Sequence, residues 1–149
     1  GEMAPFRATL DPNVAARFEK MEQIPAVEYL RRRWRLEELA ADTEQRMAAV
    51  DFVLGPTVPI TPPAIESVAS GETYHRANMA ALRNTSPANL LSLCALSLPV
   101  ALDEAGLPVG LQLIAPYGED ERLLAAGLAF ERVLGTTRQR LGVPPLCRD

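Results

Sequence analysis

Residues 83–116, RNTSPANLLSLCALSLPVALDEAGLPVGLQLIAP, decide how the rest of the chain must be arranged. Thr85 or Ser86 can cap a helix, because a side-chain oxygen accepts from an otherwise orphaned backbone N–H. Pro87 then stands at the first helical position, where its missing N–H costs nothing. The short helix runs through Asn89, Leu90 and Leu91. From Ala95 to Leu102 the run ALSLPVAL is apolar enough to be covered on both faces, which predicts a buried strand. Asp103 to Pro108 (DEAGLP) carries the Gly and Pro of a reversal, and Val109 to Ala115 returns as a second strand antiparallel to the first. Within it, Gly110 leaves room for a close neighbour. Asp103 and Glu104 fall in the turn beside Gly106, so they read as solvated turn residues and not as an acid–base pair.

Downstream, Pro116-Tyr117-Gly118 stops the strand. Glu119, Asp120 and Glu121 then place negative charge at the positive end of a helix dipole. Leu123, Leu124, Phe130, Val133 and Leu134 are the expected buried stripe of that helix, and Gly135 its C-terminal stop. Residues 136–149, with prolines at 144 and 145, read as a loosely attached tail.

Upstream, Phe52 to Gly55 is a short apolar strand, and Pro56, Pro59, Pro62 and Pro63 forbid its continuation, since each removes a ladder donor. The chain must become an extended loop. Loops at the carboxyl ends of parallel strands form the usual ligand crevice of open α/β sheets, which makes Thr57 a candidate pocket residue; the alternative is a rigid loop against the sheet edge. Glu66 to Thr73 is a polar linker of small residues. Tyr74 to Leu82 is helical in character and leads into Arg83 and Asn84. His75, the sole histidine, has no nucleophile-elbow sequence near it and reads as an exposed helix-start residue.

Two helices precede the first strand. Asp11 caps one, with Pro12 in its first turn and Val14, Phe18 and Met21 as its apolar stripe. Pro25 opens a much longer one, in which Val27, Leu30, Trp34, Leu36, Leu39, Thr43, Met47 and Val50 recur at three- and four-residue spacings; it is expected to cover one face of the sheet. Arg31, Arg32, Arg33 and Arg35 lie within a turn of Glu28, Glu37 and Glu38, so they read as an ion-paired solvated face.

With 149 residues, 48% hydrophobic, the chain can bury a core as one domain. A formal net charge of -4 excludes a typical nucleic-acid surface. No apolar run approaches the ~20 residues that span a bilayer, and the first residues have no signal-peptide pattern. A soluble cytoplasmic protein is expected. Cys94 lies in an apolar run and reads as a small buried hydrophobe, Cys147 as exposed near the terminus; neither has metal-type spacing.

Taken in order, DFVLGPTVPITPP, NTSPANLL, LSLPVAL, GLPVGLQLIAP and the acidic GEDERLL helix start resemble the carboxy-terminal part of the amidase signature family, whose members hydrolyse amide bonds. The resemblance covers roughly residues 27–135, and GLPVGLQLI is its most specific segment. It implies a partial α/β/α sandwich, carbon–nitrogen bond hydrolysis of a small-molecule amide, and no metal or organic cofactor. The family's nucleophilic serine, its second serine on a cis peptide bond and its lysine are carried in a Gly- and Ser-rich region that precedes such a part. This chain contains no Gly-Gly-Ser-Ser run. Its only lysine, Lys20, sits in a polar helical stretch, so no catalytic residue is carried over. The chain resembles the last third of an amidase, with its catalytic segment upstream and no activity on its own. Among the family's glutamine-dependent amidotransferases, an acidic residue shortly before the matching Thr recognises glutamine. Leu82, Arg83 and Asn84 stand there instead, which favours a more general amidase. Arg83 and Asn84 are thereby candidate substrate contacts, Arg83 through its planar donors; the alternative for Arg83 is a surface carboxylate partner.

The expected architecture is α/β: about three strands in a small mixed sheet covered by helices, with residues 1–24 as a helical arm, 25–135 as the core and 136–149 as the tail. A sheet this small presents an open edge and an uncovered face, so a dimer, or pairing with a complementary chain, is expected over a monomer. A non-catalytic assembly module is the alternative reading.

Overall fold

Each of the first two helices starts at a proline. In a computed structural model of the protein, which describes residue 6 and residues 9–143, helix α1 spans Pro12–Glu22 and helix α2 spans Ala26–Met47. The Asp11 side chain accepts from Asn13 N at 2.8 Å, the expected cap. Strand β1 (Val53–Pro56) follows, then the proline loop and a 3₁₀ turn at Ile65–Val68. Helix α3 (Gly71–Leu82) is capped by Ser70, whose hydroxyl accepts from Thr73 N. Helix α4 (Ser86–Leu90) precedes strands β2 (Cys94–Leu102) and β3 (Pro108–Ala115), helix α5 (Asp120–Leu134) and helix α6 (Thr137–Leu141). Thr85 precedes α4 without making a side-chain cap bond; its hydroxyl instead donates to the Leu82 carbonyl.

Among the described residues the three strands form one sheet in the order β1-β3-β2. A mixed sheet is expected from the sequence, but β1 also runs antiparallel to β3, so the sheet is antiparallel throughout. The reversal is locked by Asp103, whose Oδ1 accepts from Ala105 N and Leu107 N at 2.9 and 2.8 Å. Gly106, at φ 78°, supplies the left-handed turn position. Residues directly opposite across a ladder share a face. Leu54, Leu113 and Leu96 therefore lie on one side of the sheet, and Gly55, Gln112 and Ser97 on the other.

The core lies on the first side. Cys94, Leu98, Leu113 and Ala115 are buried against Leu123 of α5, with Phe52, Leu96, Ala126 and Phe130 packed around them. Gly127 brings α5 onto β2, for a Cβ there would collide with the Leu96 side chain. The buried stripe of α5 is thus Leu123, Ala126, Gly127 and Phe130. Leu124, Val133 and Leu134, expected in that stripe from the sequence, are exposed, Val133 at 86%. Leu124 lies one position round the helix from Leu123, off that face, whereas Val133 and Leu134, seven residues after Ala126 and Gly127, are in line with it but in the last turn of the helix.

Two further expectations change. Helix α2 does not cover the sheet: Met47, at its foot, is buried, while Val27, Leu30 and Trp34 are exposed, Trp34 at 62%. Its apolar residues fall on two opposed arcs, one through Leu36, Thr43 and Met47 and the other through Val27, Leu30 and Trp34, so a single sheet cannot bury both. The basic run is ion-paired as expected, through Glu28–Arg31, Glu28–Arg32, Arg33–Glu37 and Arg35–Glu38. The supposed tail begins as a built element. Thr136 and Gln139 form a capping box for α6, which packs on β2, and Arg140 Nε donates to the Gly135 carbonyl at 2.9 Å. Cys147 and the two prolines lie outside the described residues.

Leu113 is wholly enclosed. Leu113→Ala is expected to destabilise the chain by about 3 kcal/mol, read as a lower urea midpoint. The hydrogen bond from Arg32, with the charges of Arg32 and Arg31, holds the Glu28 carboxyl below its ordinary value of 4.5 despite some desolvation. A depressed carboxyl contributes stability above its unfolded pKa and loses it as pH falls through the folded one. Helix content measured by circular dichroism should therefore decline on acidification below 4.5, less so in Glu28→Gln.

Candidate functional site

The proline loop leaves β1 after Pro56, which is still paired with Leu111, and curls over the second face of the sheet, because Pro59, Pro62 and Pro63 cannot continue a ladder. Thr57 N donates to the Gly110 carbonyl at 2.8 Å, one last pairing before the loop departs. The close approach depends on glycine. A Cβ at residue 110 would lie 2.6 Å from Thr57 Oγ1 and 2.9 Å from Ser97 Oγ. Those two hydroxyls hydrogen-bond to each other at 2.6 Å. Gly110 thus has the close neighbour its sequence context suggested, and that neighbour is Thr57.

A groove of about 840 Å³ opens beside this cluster, walled by the proline loop on one side and by Ser97, Pro99, Asp103 and Val109 on the other. Its lining is mostly apolar with a few convergent polar groups, the usual make-up of a small-molecule site. Thr57 lines it. The parallel-strand argument for Thr57 does not apply to an antiparallel sheet; the groove arises where the loop folds back over Gly110.

Asn84 reaches the same region from the other side, its Nδ2 donating to the Pro56 carbonyl at 2.8 Å. This bond ties the α3–α4 connection to the start of the proline loop. Arg83 stands at the C-terminal end of α3 with its side chain exposed and does not line the groove. The structure therefore brings Thr57 and Asn84 to one loop and leaves Arg83 at the rim of the connection. Ser97 is not singled out by the sequence. Its signal is a hydroxyl alone in the apolar run ALSLPVAL, on the face opposite Leu96 and Leu98.

The Thr57–Ser97 pair can offer one hydroxyl hydrogen and a set of lone pairs to a polar group in the groove. No histidine bonds either hydroxyl among the described residues; His75 is exposed on α3. The cluster can hold and orient a polar group, and among the described residues no neighbouring base activates either hydroxyl. Among the described residues no group of three or more His, Cys, Asp or Glu side chains is placed to hold a metal ion, and no helix is long and apolar enough to cross a membrane.

The family model for amidases matches residues 3–124, and the chain belongs to that family. It is 43% identical over 137 residues to the 2-amino-5-chloromuconic acid deaminase of Comamonas testosteroni, covering 92% of this chain and 30% of that protein. To the fatty acid amide hydrolase of Medicago truncatula it is 38% identical over 93 residues, 61% of this chain and 15% of that enzyme. A crystal structure of an amidase superposes with a TM-score of 0.72 at 26% identity, over 89% of this chain and 31% of that one. The 6-aminohexanoate cyclic dimer hydrolase shares the fold, with a TM-score of 0.74 over 87% of this chain and 28% of its own at 24% identity. The chain spans less than a third of the length of each of these relatives.

Gly110→Ala should force the loop off the sheet. We expect about 1–3 kcal/mol of destabilisation, partly relieved in the double variant with Thr57→Ala, as measured by urea denaturation of both.

Proposed function

We propose that the chain is the C-terminal portion of an amidase-signature amidohydrolase, whose Ser-cisSer-Lys site lies upstream of residue 1. In the whole enzyme the serine attacks the carbonyl carbon, lysine and the bridging serine relay its proton to the departing nitrogen, and water releases the acid. Residues 1–149 complete the sheet, wall the substrate pocket and do not turn over an amide alone. The observation that carries this reading is the groove over Gly110: its loop and both its strands fall within the family match.

Thr57 contributes a hydroxyl to that pocket, Asn84 holds the loop through the Pro56 carbonyl, and Arg83, exposed at the end of α3 and outside the groove lining, meets the acidic end of a substrate in the whole enzyme. The likeness to a deaminase of 2-amino-5-chloromuconic acid supports a small carboxylate-bearing substrate with a carbon–nitrogen bond to be cleaved. The protein acts in the cytoplasm. A second reading, an assembly module that pairs with another copy or a complementary chain, draws on the exposed Val27, Leu30 and Trp34 of α2.

The test compares the 149-residue chain with the full-length gene product on a panel of linear amides, with and without a carboxylate. Turnover by the longer protein alone is expected, and none by either protein would overturn the hydrolase reading. In the longer protein, Arg83→Ala should raise KM for carboxylate-bearing amides roughly tenfold with kcat little changed, the mark of lost ground-state binding.

A further inference from the structure

Asp103 reads from the sequence as a solvated turn residue, yet it is half-buried and lines the groove beside Thr57. It is the one charged side chain among the residues lining that groove. Both backbone bonds that lock the reversal, from Ala105 N and Leu107 N, fall on its Oδ1. A carboxylate carries lone pairs on two oxygens, so the turn occupies one oxygen and leaves the other to what enters the groove. Much of the wall is proline, and Pro62, Pro63, Pro99 and Pro108 have no backbone N–H to offer it.

The groove therefore has two polar stations. Asp103 N donates to the Leu107 carbonyl at 2.8 Å, one rung past the Leu102–Pro108 pair. The hydroxyls of Thr57 and Ser97 stand at Gly110. Leu107 and Gly110 are separated by extended strand of roughly 10 Å, at about 3.4 Å per residue. Between the stations the lining is Pro99, Pro108 and Val109, which offer only apolar surface. A carboxylate beside apolar walls attracts a cation more strongly than one in open water. A lone carboxylate supplies too few ligands for a calcium or magnesium ion, so the fitting cation is an organic ammonium.

We propose that Asp103 is a specificity-determining residue of the groove: its second carboxylate oxygen receives the ammonium group of an amide substrate with an alkylammonium tail. The tail lies along Pro99 and Val109, and the polar end of the molecule accepts from the Thr57–Ser97 pair. This rests on the amidohydrolase reading above and names its substrate class. Arg83 lies outside the lining, so the preference for a cation inside the groove is separate from a carboxylate met by Arg83.

The experiment is calorimetry on the full-length gene product with octylammonium, octanol and octanoate, for wild type and Asp103→Asn. Asparagine keeps an oxygen for both turn bonds and removes the charge. Octylammonium is expected to bind wild type about tenfold more tightly than octanol, as for a hydrogen bond to a charged group, and to lose that advantage in the variant. A salt series on wild type needs no variant: the advantage should shrink as salt rises while octanol affinity holds. Equal affinity for the amine and the alcohol, tighter binding of octanoate, or an advantage that survives Asp103→Asn or ignores salt would each overturn the proposal. In turnover, the ω-amino derivative of octanamide should show a KM about tenfold below that of octanamide, a difference absent from the variant. If the protein hydrolyses neither amide, the amidohydrolase reading fails by itself, while calorimetry still decides whether the groove takes a cation.

Discussion

Strand β3 is hydrogen-bonded on both edges, and that constraint shapes everything around it. With β1 on one side and β2 on the other, its residues are bounded in the plane of the sheet, so its side chains can vary only above and below it. Below, Leu111, Leu113 and Ala115 meet the core and α5. Above, Gly110 has no side chain at all, and the proline loop settles into the space. The stability of the sheet and the shape of the groove are therefore set by alternate residues of a single eight-residue strand. A change of register by one residue would exchange the two sets and abolish both.

The pocket wall is assembled by short bonds between distant segments. Thr57 meets Ser97 and Gly110, and Asn84 meets Pro56, so the loop is held from the sheet and from the α3–α4 connection at once. Away from the groove, Arg122 of α5 pairs with Asp51 and lies 5.3 Å from the centre of the Phe52 ring. That contact ties α5 to the two residues just before β1. Exposed ion pairs of this kind contribute little energy.

Much of this is legible in the sequence because it is written in local chemistry. Asp11-Pro12, the DEAGLP turn, the proline run after β1 and the two apolar strands each follow from rules acting over a few residues. The direction of β1 is not legible, since nothing within Phe52–Pro56 distinguishes parallel from antiparallel pairing. The burial of α2 is misjudged because its apolar residues satisfy a three- and four-residue spacing on two arcs, and spacing alone does not say which arc has a neighbour. At the site, Thr57 and Gly110 announce themselves through Pro-Thr-x-Pro and a glycine in a strand. Ser97 does not, because a single polar residue in an apolar run acquires meaning only once its cross-strand neighbours are known.

Helix α2 is held near its foot, where Met47 is buried, while its far end stands out in solvent and a cleft of about 270 Å³ lies between its middle and α4. Its 22 residues make a rod roughly 33 Å long, so a pivot of about 10° at the base would sweep the tip through roughly 6 Å. The helix is in this sense a lever. Trp34 and Leu30 stand along the exposed part of that arm, and Met47 sits at its foot, beside Asp51 and Arg122.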